Sequence, residues 1–212
     1  MKNVYQIPVA LLLAGAASAV NANLIQGGNF DTQQDLNDFW TQASTISEPT
    51  PNTSGTFWDA PTQTAHLGRP GYDGVSTLTQ AFLVPTGADH LKIFFDYQWQ
   101  VNRPNVEDSF RVLLLDDNNA VINELLSEGS ASAVFNTTVS FAMQLDFLSA
   151  LASPMGMKLQ FELTETPNSP DNSGTRIQLD NVRAEIPTPA TLALLGLGLA
   201  GIGYRSTQVK AA

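Results

Sequence analysis

Along HLKIFFDYQWQV, residues 90 to 101, apolar side chains fall on every second position: Leu91, Ile93, Phe95, Tyr97, Trp99 and Val101. Lys92, Asp96, Gln98 and Gln100 fill most of the positions between them. A period of two over this length predicts a strand with one face buried and one face wet. MKLQFELTE repeats the pattern, with Met157, Leu159, Phe161 and Leu163 on one side. Further strands are expected at 75–84, 109–115, 120–126, 134–143 and 176–185, separated by turn-forming groups such as Asp117-Asn118-Asn119 and Pro85-Thr86-Gly87. Only 144–151 hints at a helical turn. Pro, Thr, Ser and Asn cluster at 44–56 and 164–175, where exposed loops are expected. Many short strands at this spacing predict an all-β fold, an antiparallel β-sandwich.

The two ends of the chain break this pattern. MKNVYQIPVALLLAGAASAVNANL carries Lys2, an apolar run from Ile7 to Ala17, and then small residues. That is the layout of a secretory signal peptide, expected to span 1–22 and to leave Asn23 as the mature N-terminus. At the other end, residues 190–204 contain no charge, and Arg205 and Lys210 follow. A short membrane helix with a cytoplasmic basic flank is expected there. GLGLAG, residues 196 to 201, has the spacing of a dinucleotide-binding turn. The chain ends 11 residues later with no acid after Glu185, so neither the second strand nor the ribose-binding acid of that motif can follow. Small residues at this spacing suit a membrane helix instead.

Between the ends, residues 23–186 have the size of one domain with a substantial core. They hold all 20 acidic residues but only 7 of the 10 basic ones, a net charge of −13. Such a surface repels nucleic acid and anionic lipid. No cysteine is present, so disulfides do not hold the domain.

The tail, Pro187-Thr188-Pro189 followed by ATLALLGLGLAGIGY and Arg205, resembles the PEP-CTERM sorting signal of Gram-negative bacteria. Thr188 stands where that family has glutamate, and Ser206 follows the arginine. The resemblance implies a transient inner-membrane anchor, processing near Pro187-Thr188-Pro189 by an exosortase-type membrane enzyme, and delivery to the envelope or an exopolysaccharide matrix. Within the domain, NLIQGGNFD, TLTQAFLVPTGADHLKIFFDYQW and GTRIQLDNVRAEI resemble, in order, the opening, middle and closing strands of carbohydrate-binding, galactose-binding-like jelly rolls. That resemblance implies a jelly-roll sandwich and a structural calcium ion held by Asp31 and Asp180, with a backbone carbonyl near Gly28 or Asn29. Read from the residues alone, Asp31 equally caps a turn and Asp180 equally sits exposed on an edge strand.

Catalytic signals are weak. Glu107-Asp108 and Asp116-Asp117 are paired carboxylates, but neighbours on a strand point to opposite faces, and these pairs sit in turn-like sequence. His66 and His90, the only histidines, lack zinc-protease spacing, and no G-x-S-x-G elbow is present. The expectation is a non-enzymatic exported protein. For glycan contact, aromatic faces are the first candidates. Trp99 and Tyr97 lie on the core side of a strand. Trp40, Trp58 and Tyr72 lie in loop-like sequence and are the candidate sugar-binding residues, with Trp58 and Tyr72 beside Asp59, His66 and Arg69 as the best surface.

Overall fold

The computed structural model describes residues 22–46, 55–68, 73–100, 108–147, 151–166 and 175–187. Asn23–Ile186 form a compact unit. Two antiparallel sheets face each other. In chain order the strands are β1 (Ala22–Asn23), β2 (Thr41–Ser44), β3 (Thr56–Asp59), β4 (Thr64–Leu67), β5 (Gly74–Val84), β6 (His90–Gln100), β7 (Ser109–Asp116), β8 (Val121–Gly129), β9 (Val139–Asp146), β10 (Met155–Glu165) and β11 (Arg176–Ile186). One sheet runs β3-β4-β11-β6-β9 with β1 beside β11, and the other runs β2-β5-β10-β7-β8. Neighbouring strands in space are mostly distant in sequence, as jelly-roll crossovers require.

Alternation sets which face is buried. In β6 every second residue, Leu91 to Trp99, is buried, and the residues between are half-buried. β10 does the same from Met157 to Leu163. The two inner faces meet in an aromatic core. Phe161 meets Phe95 edge-on at 5.2 Å, and Phe110 stacks at 6.4 Å from Phe161. Tyr97 and Trp99 are core residues, and both donate hydrogen bonds, each 2.9 Å long, to the Glu128 carboxylate of β8. A buried Tyr or Trp needs a partner of this kind for its polar atom. Burial and the Glu128 charge raise the Tyr97 phenol far above its usual value.

The strands expected from alternation are present with small shifts at their ends. The segment 134–143 and the helical turn at 144–151 are corrected: the strand is β9, Val139–Asp146. It pairs with β6 from Tyr97↔Val139 to His90↔Asp146, so Leu145 continues the inward set of Phe141 and Met143. Pairing to a long neighbouring strand prevails over the weak helical pattern.

One helix escaped the sequence reading, α1 at Gln33–Phe39. Thr32 caps it, with its hydroxyl accepting from the Asp35 N–H while the Asp35 carboxylate accepts from the Thr32 N–H at 2.9 Å. This reciprocal box satisfies two of the free donors of a helix start. Leu36 anchors the helix to the core. The chain around it is tied to β5 by Gln80, whose amide accepts from the Gln26 N–H and donates to the Gln26 and Phe39 carbonyls.

Among the described residues no helix is long and apolar enough to cross a membrane. The expected signal peptide lies outside them up to residue 21, as do Thr188, Pro189, Arg205 and the expected membrane helix at 190–204. Pro187 is described and half-buried.

Candidate functional site

The outer face of β4, β11 and β6 carries a polar groove. Cross-strand register builds it. Gln178 of β11 sits opposite Gln98 of β6 and His66 of β4, and Asp180 sits opposite Asp96. A β-bulge between Asp180 and Arg183 then breaks the ladder. Asn181 occupies it with φ 52°, in the left-handed region that Asn tolerates better than most residues. The open groove, about 180 Å³, is lined by Thr64, Asp96, Gln98, Thr138, Gln178 and Asp180, with Asn181 at its edge.

Asn181 ties the two aspartates together. Its side-chain nitrogen donates to Asp96 Oδ2 at 2.8 Å and approaches Asp180 Oδ2 at 3.5 Å, and its backbone N–H donates to Asp180 Oδ1 at 2.7 Å. Burial pushes the Asp180 carboxyl above its usual range; the Asn181 N–H opposes this, and the charges of Asp96 and Asp31 add to it. Asp31 and Asp180, 149 positions apart in sequence, therefore do share one electrostatic neighbourhood. Asp96 is the third member, and sequence reading missed it because strand alternation marks it only as outward-facing. The Gly28 carbonyl accepts from the Val182 N–H at 2.9 Å, and a Cβ at Gly28 would collide with the Val182 backbone. That close approach is why glycine stands there. Among the described residues no three His, Cys, Asp or Glu side chains gather tightly enough to hold a metal ion. The acids here make a negative field rather than a ready ligand shell.

A second polar chain enters the groove from β4. Thr62 Oγ1 donates to Asp59 Oδ2 at 2.6 Å, Thr62 and Thr64 hydroxyls lie 2.7 Å apart, and Thr64 Oγ1 lies 3.1 Å from His66 Nε2. His66 is buried, 2% exposed, and its ring stacks on Phe57 with centroids 4.9 Å apart. The Arg176 guanidinium lies 5.5 Å from the same Phe57 ring. Burial lowers the His66 pKa from 6.5 to about 4, against the pull of Asp59 and with the help of Arg176.

The candidate sugar platforms fare differently. Trp40 is corrected: it is buried at 4% exposure, tilted against Phe30 and Phe161, so no ring face is open to a sugar. Its position directly after α1, a helix the sequence reading missed, turned a loop-like residue inward. Trp58 is half-buried against the core, and its indole N–H donates to the Phe30 carbonyl at 2.8 Å. Tyr72 and Arg69 lie outside the described residues. The paired carboxylates are structural where described. Asp116 closes the β7–β8 turn by accepting from the Asn118 and Ala120 N–H groups. Asp108 is buried and accepts from the Thr166 backbone and hydroxyl and from the Thr175 hydroxyl.

No family model matches the chain, and no curated protein matches it either. Solved structures do resemble it. A xylan-binding module, CBM15, is 13% identical, with a TM-score of 0.50 over 79% of this chain and 97% of that module. The mannan-recognising module TmCBM27 is 14% identical, with a TM-score of 0.49 over 81% of this chain and 100% of the module. TmCBM61, solved with β-1,4-galactotriose, is 9% identical, with a TM-score of 0.48 over 77% of this chain and 97% of the module. The enzymatically active domain of tailspike protein 4 from bacteriophage CBA120 also resembles it, but this chain spans only 21% of that one. At 13% identity the likeness to the xylan-binding module is one of fold alone, an antiparallel two-sheet sandwich.

Proposed function

We propose that this chain is a non-catalytic glycan-binding module, exported and sorted by its tail to the cell envelope or an exopolysaccharide matrix. The groove on β4, β11 and β6 carries the reading. It gathers amide, hydroxyl and carboxylate groups from three strands on one outer sheet face, the kind of convergent polar surface that sugar hydroxyls require. The fold it shares with carbohydrate-binding modules supports the same reading. The signal-like leader and the tail from Pro187 to Arg205 support export and exosortase-type processing. The calcium ion expected at Asp31 and Asp180 belongs to the proposal as a cation attracted by their shared negative field, since hard cations take carboxylate oxygens.

The test is affinity electrophoresis of the purified chain against a polysaccharide panel, repeated with Gln98→Ala and Gln178→Ala. Retardation by at least one glycan, weakened in both variants while their circular dichroism stays native, supports the reading. Unretarded migration on every polysaccharide defeats it. Release of reducing sugar from any bound glycan, abolished in Asp96→Asn, would make the protein an enzyme instead.

A further inference from the structure

The Thr62–Thr64–His66 chain has only one consistent direction. The Asp59 carboxylate accepts, so the single hydroxyl proton of Thr62 is spent on it. Thr62 must then accept from Thr64, and Thr64, its own proton spent, must accept from His66 Nε2–H. Thr64 therefore reaches the groove with a lone pair and no proton. Its neighbours there are similar. Asp96 and Asp180 only accept as carboxylates, and Asn181 directs its side-chain nitrogen at both of them. Donor capacity survives on Gln98 and Thr138, and on Gln178, whose oxygen is taken by the Gln100 amide at 2.6 Å. Among the described residues no lysine or arginine lines the groove.

We infer that Asp59, acting through Thr62, fixes Thr64 as a hydrogen-bond acceptor, and that the groove thereby selects uncharged, hydroxyl-rich glycans and rejects uronate-bearing ones. The inference rests on the glycan-binding reading above and sharpens it. A sugar hydroxyl can donate to Thr64, Asp96 and Asp180. A carboxylate presents only acceptors to the same atoms and meets the negative charges of Asp96 and Asp180 besides. Burial of His66 keeps the relay dry, and stacking on Phe57 fixes the ring. Asp59 on β3 and Arg176 on β11 are the charged groups acting on it. Its Nε2 bears a proton whether the ring is neutral or charged, so the direction of the relay survives mild acid.

The experiment uses matched polysaccharides that differ in their carboxylates: polygalacturonate methyl-esterified or de-esterified, and xylan with or without glucuronate branches. Affinities are measured on the full chain by calorimetry or affinity electrophoresis. The native protein should prefer the uncharged member of any pair it binds. Thr64→Val should lose about three- to tenfold in affinity, the worth of one neutral hydrogen bond, and Thr64→Ser should restore it. Thr62→Val removes the acceptor of the Thr64 proton and frees that proton for the groove, so preference for the uncharged member should shrink by a similar factor. A ratio of affinities is insensitive to loss of folded protein, which separates positioning from a merely structural role. Equal or tighter binding of the uronate forms, or a preference unchanged in Thr62→Val, overturns the inference while leaving glycan binding intact. If no polysaccharide of any charge binds the native chain, the glycan-binding reading itself falls.

Discussion

Two aspartates show how differently one fold treats the same side chain. Asp108, before β7, is surrounded by donors: the Thr166 N–H and hydroxyl, and the Thr175 hydroxyl, all converge on its carboxylate. Its backbone N–H and C=O are bound by Ser130 Oγ and the Ser130 N–H. It thus joins the start of β7, the end of β8, the end of β10 and the start of β11. Asp180, on the outer face of β11, is surrounded mainly by acceptors. Asn181 is its donor among the described residues, and Asp96 stands directly across the strand pair with Asp31 in range. Like charges directly opposite on a sheet are destabilising. A carboxylate satisfied on all sides stabilises the sandwich, whereas a crowded carboxylate in an open groove keeps unspent capacity for a ligand. The difference marks where the domain is built for stability and where it is built for recognition.

The largest effect should come from breaking the satisfied side. Asp108→Ala removes the acceptor of the buried Thr175 hydroxyl and of the Thr166 N–H, and should cost about 3 kcal/mol of unfolding free energy in urea titrations. A loss below about 1 kcal/mol would mean that water replaces the carboxylate and that the seam is not closed.

Acid should act next, through His66. Its native pKa is depressed to about 4, so between pH 6.5 and about 4 the unfolded chain binds a proton that the native protein refuses. Stability from this group is complete above pH 6.5, falls as the pH drops toward 4, and should diminish by roughly 3 kcal/mol across that window. His66→Phe should flatten this slope. An equal slope in the variant would assign the acid sensitivity to other groups.

Asp180 has the opposite sign. Its native pKa is raised, so the native state takes up its proton more readily than the unfolded chain does. This group favours the fold as the pH falls through its native value, and disfavours it above. Asp180→Asn at neutral pH should therefore raise Tm, by about 1–2 °C because the groove is open to solvent. A fall in Tm would show that the carboxylate holds the bulge through the Asn181 N–H more strongly than its neighbours repel it.

The smallest expected effect is that of calcium. Millimolar calcium should raise Tm slightly over excess chelator, since a ligand bound only to the native state stabilises it by mass action. The increment should vanish in Asp180→Asn. Identical melting with calcium and with chelator removes the cation from the proposal.

By itself the sequence determined the class of fold and the inward face of each long strand. Half-burial imposes a period of two, and Leu91 to Trp99 and Met157 to Leu163 display it without interruption. It determined the acidic surface as well. Shorter elements were out of reach for a local reason: β3 and β4 each offer only four residues, too few for a period to emerge, and β4 is buried throughout. The Thr32–Asp35 capping box was a visible sign of α1, with only Leu36 to mark a buried side within the helix. The tertiary structure alone decided which outward residues share a groove. Thr64, Asp96 and Asp180 arrive from three strands far apart in sequence, and alternation marks Asp96 and Asp180 as outward-facing without saying which strands adjoin. It also decided that Trp40 points inward, and that cross-strand register sets Asp180 opposite Asp96 beside the bulge at Asn181. Strand order is set by long-range pairing and by the closing of one shared core, and no local pattern along the chain encodes either.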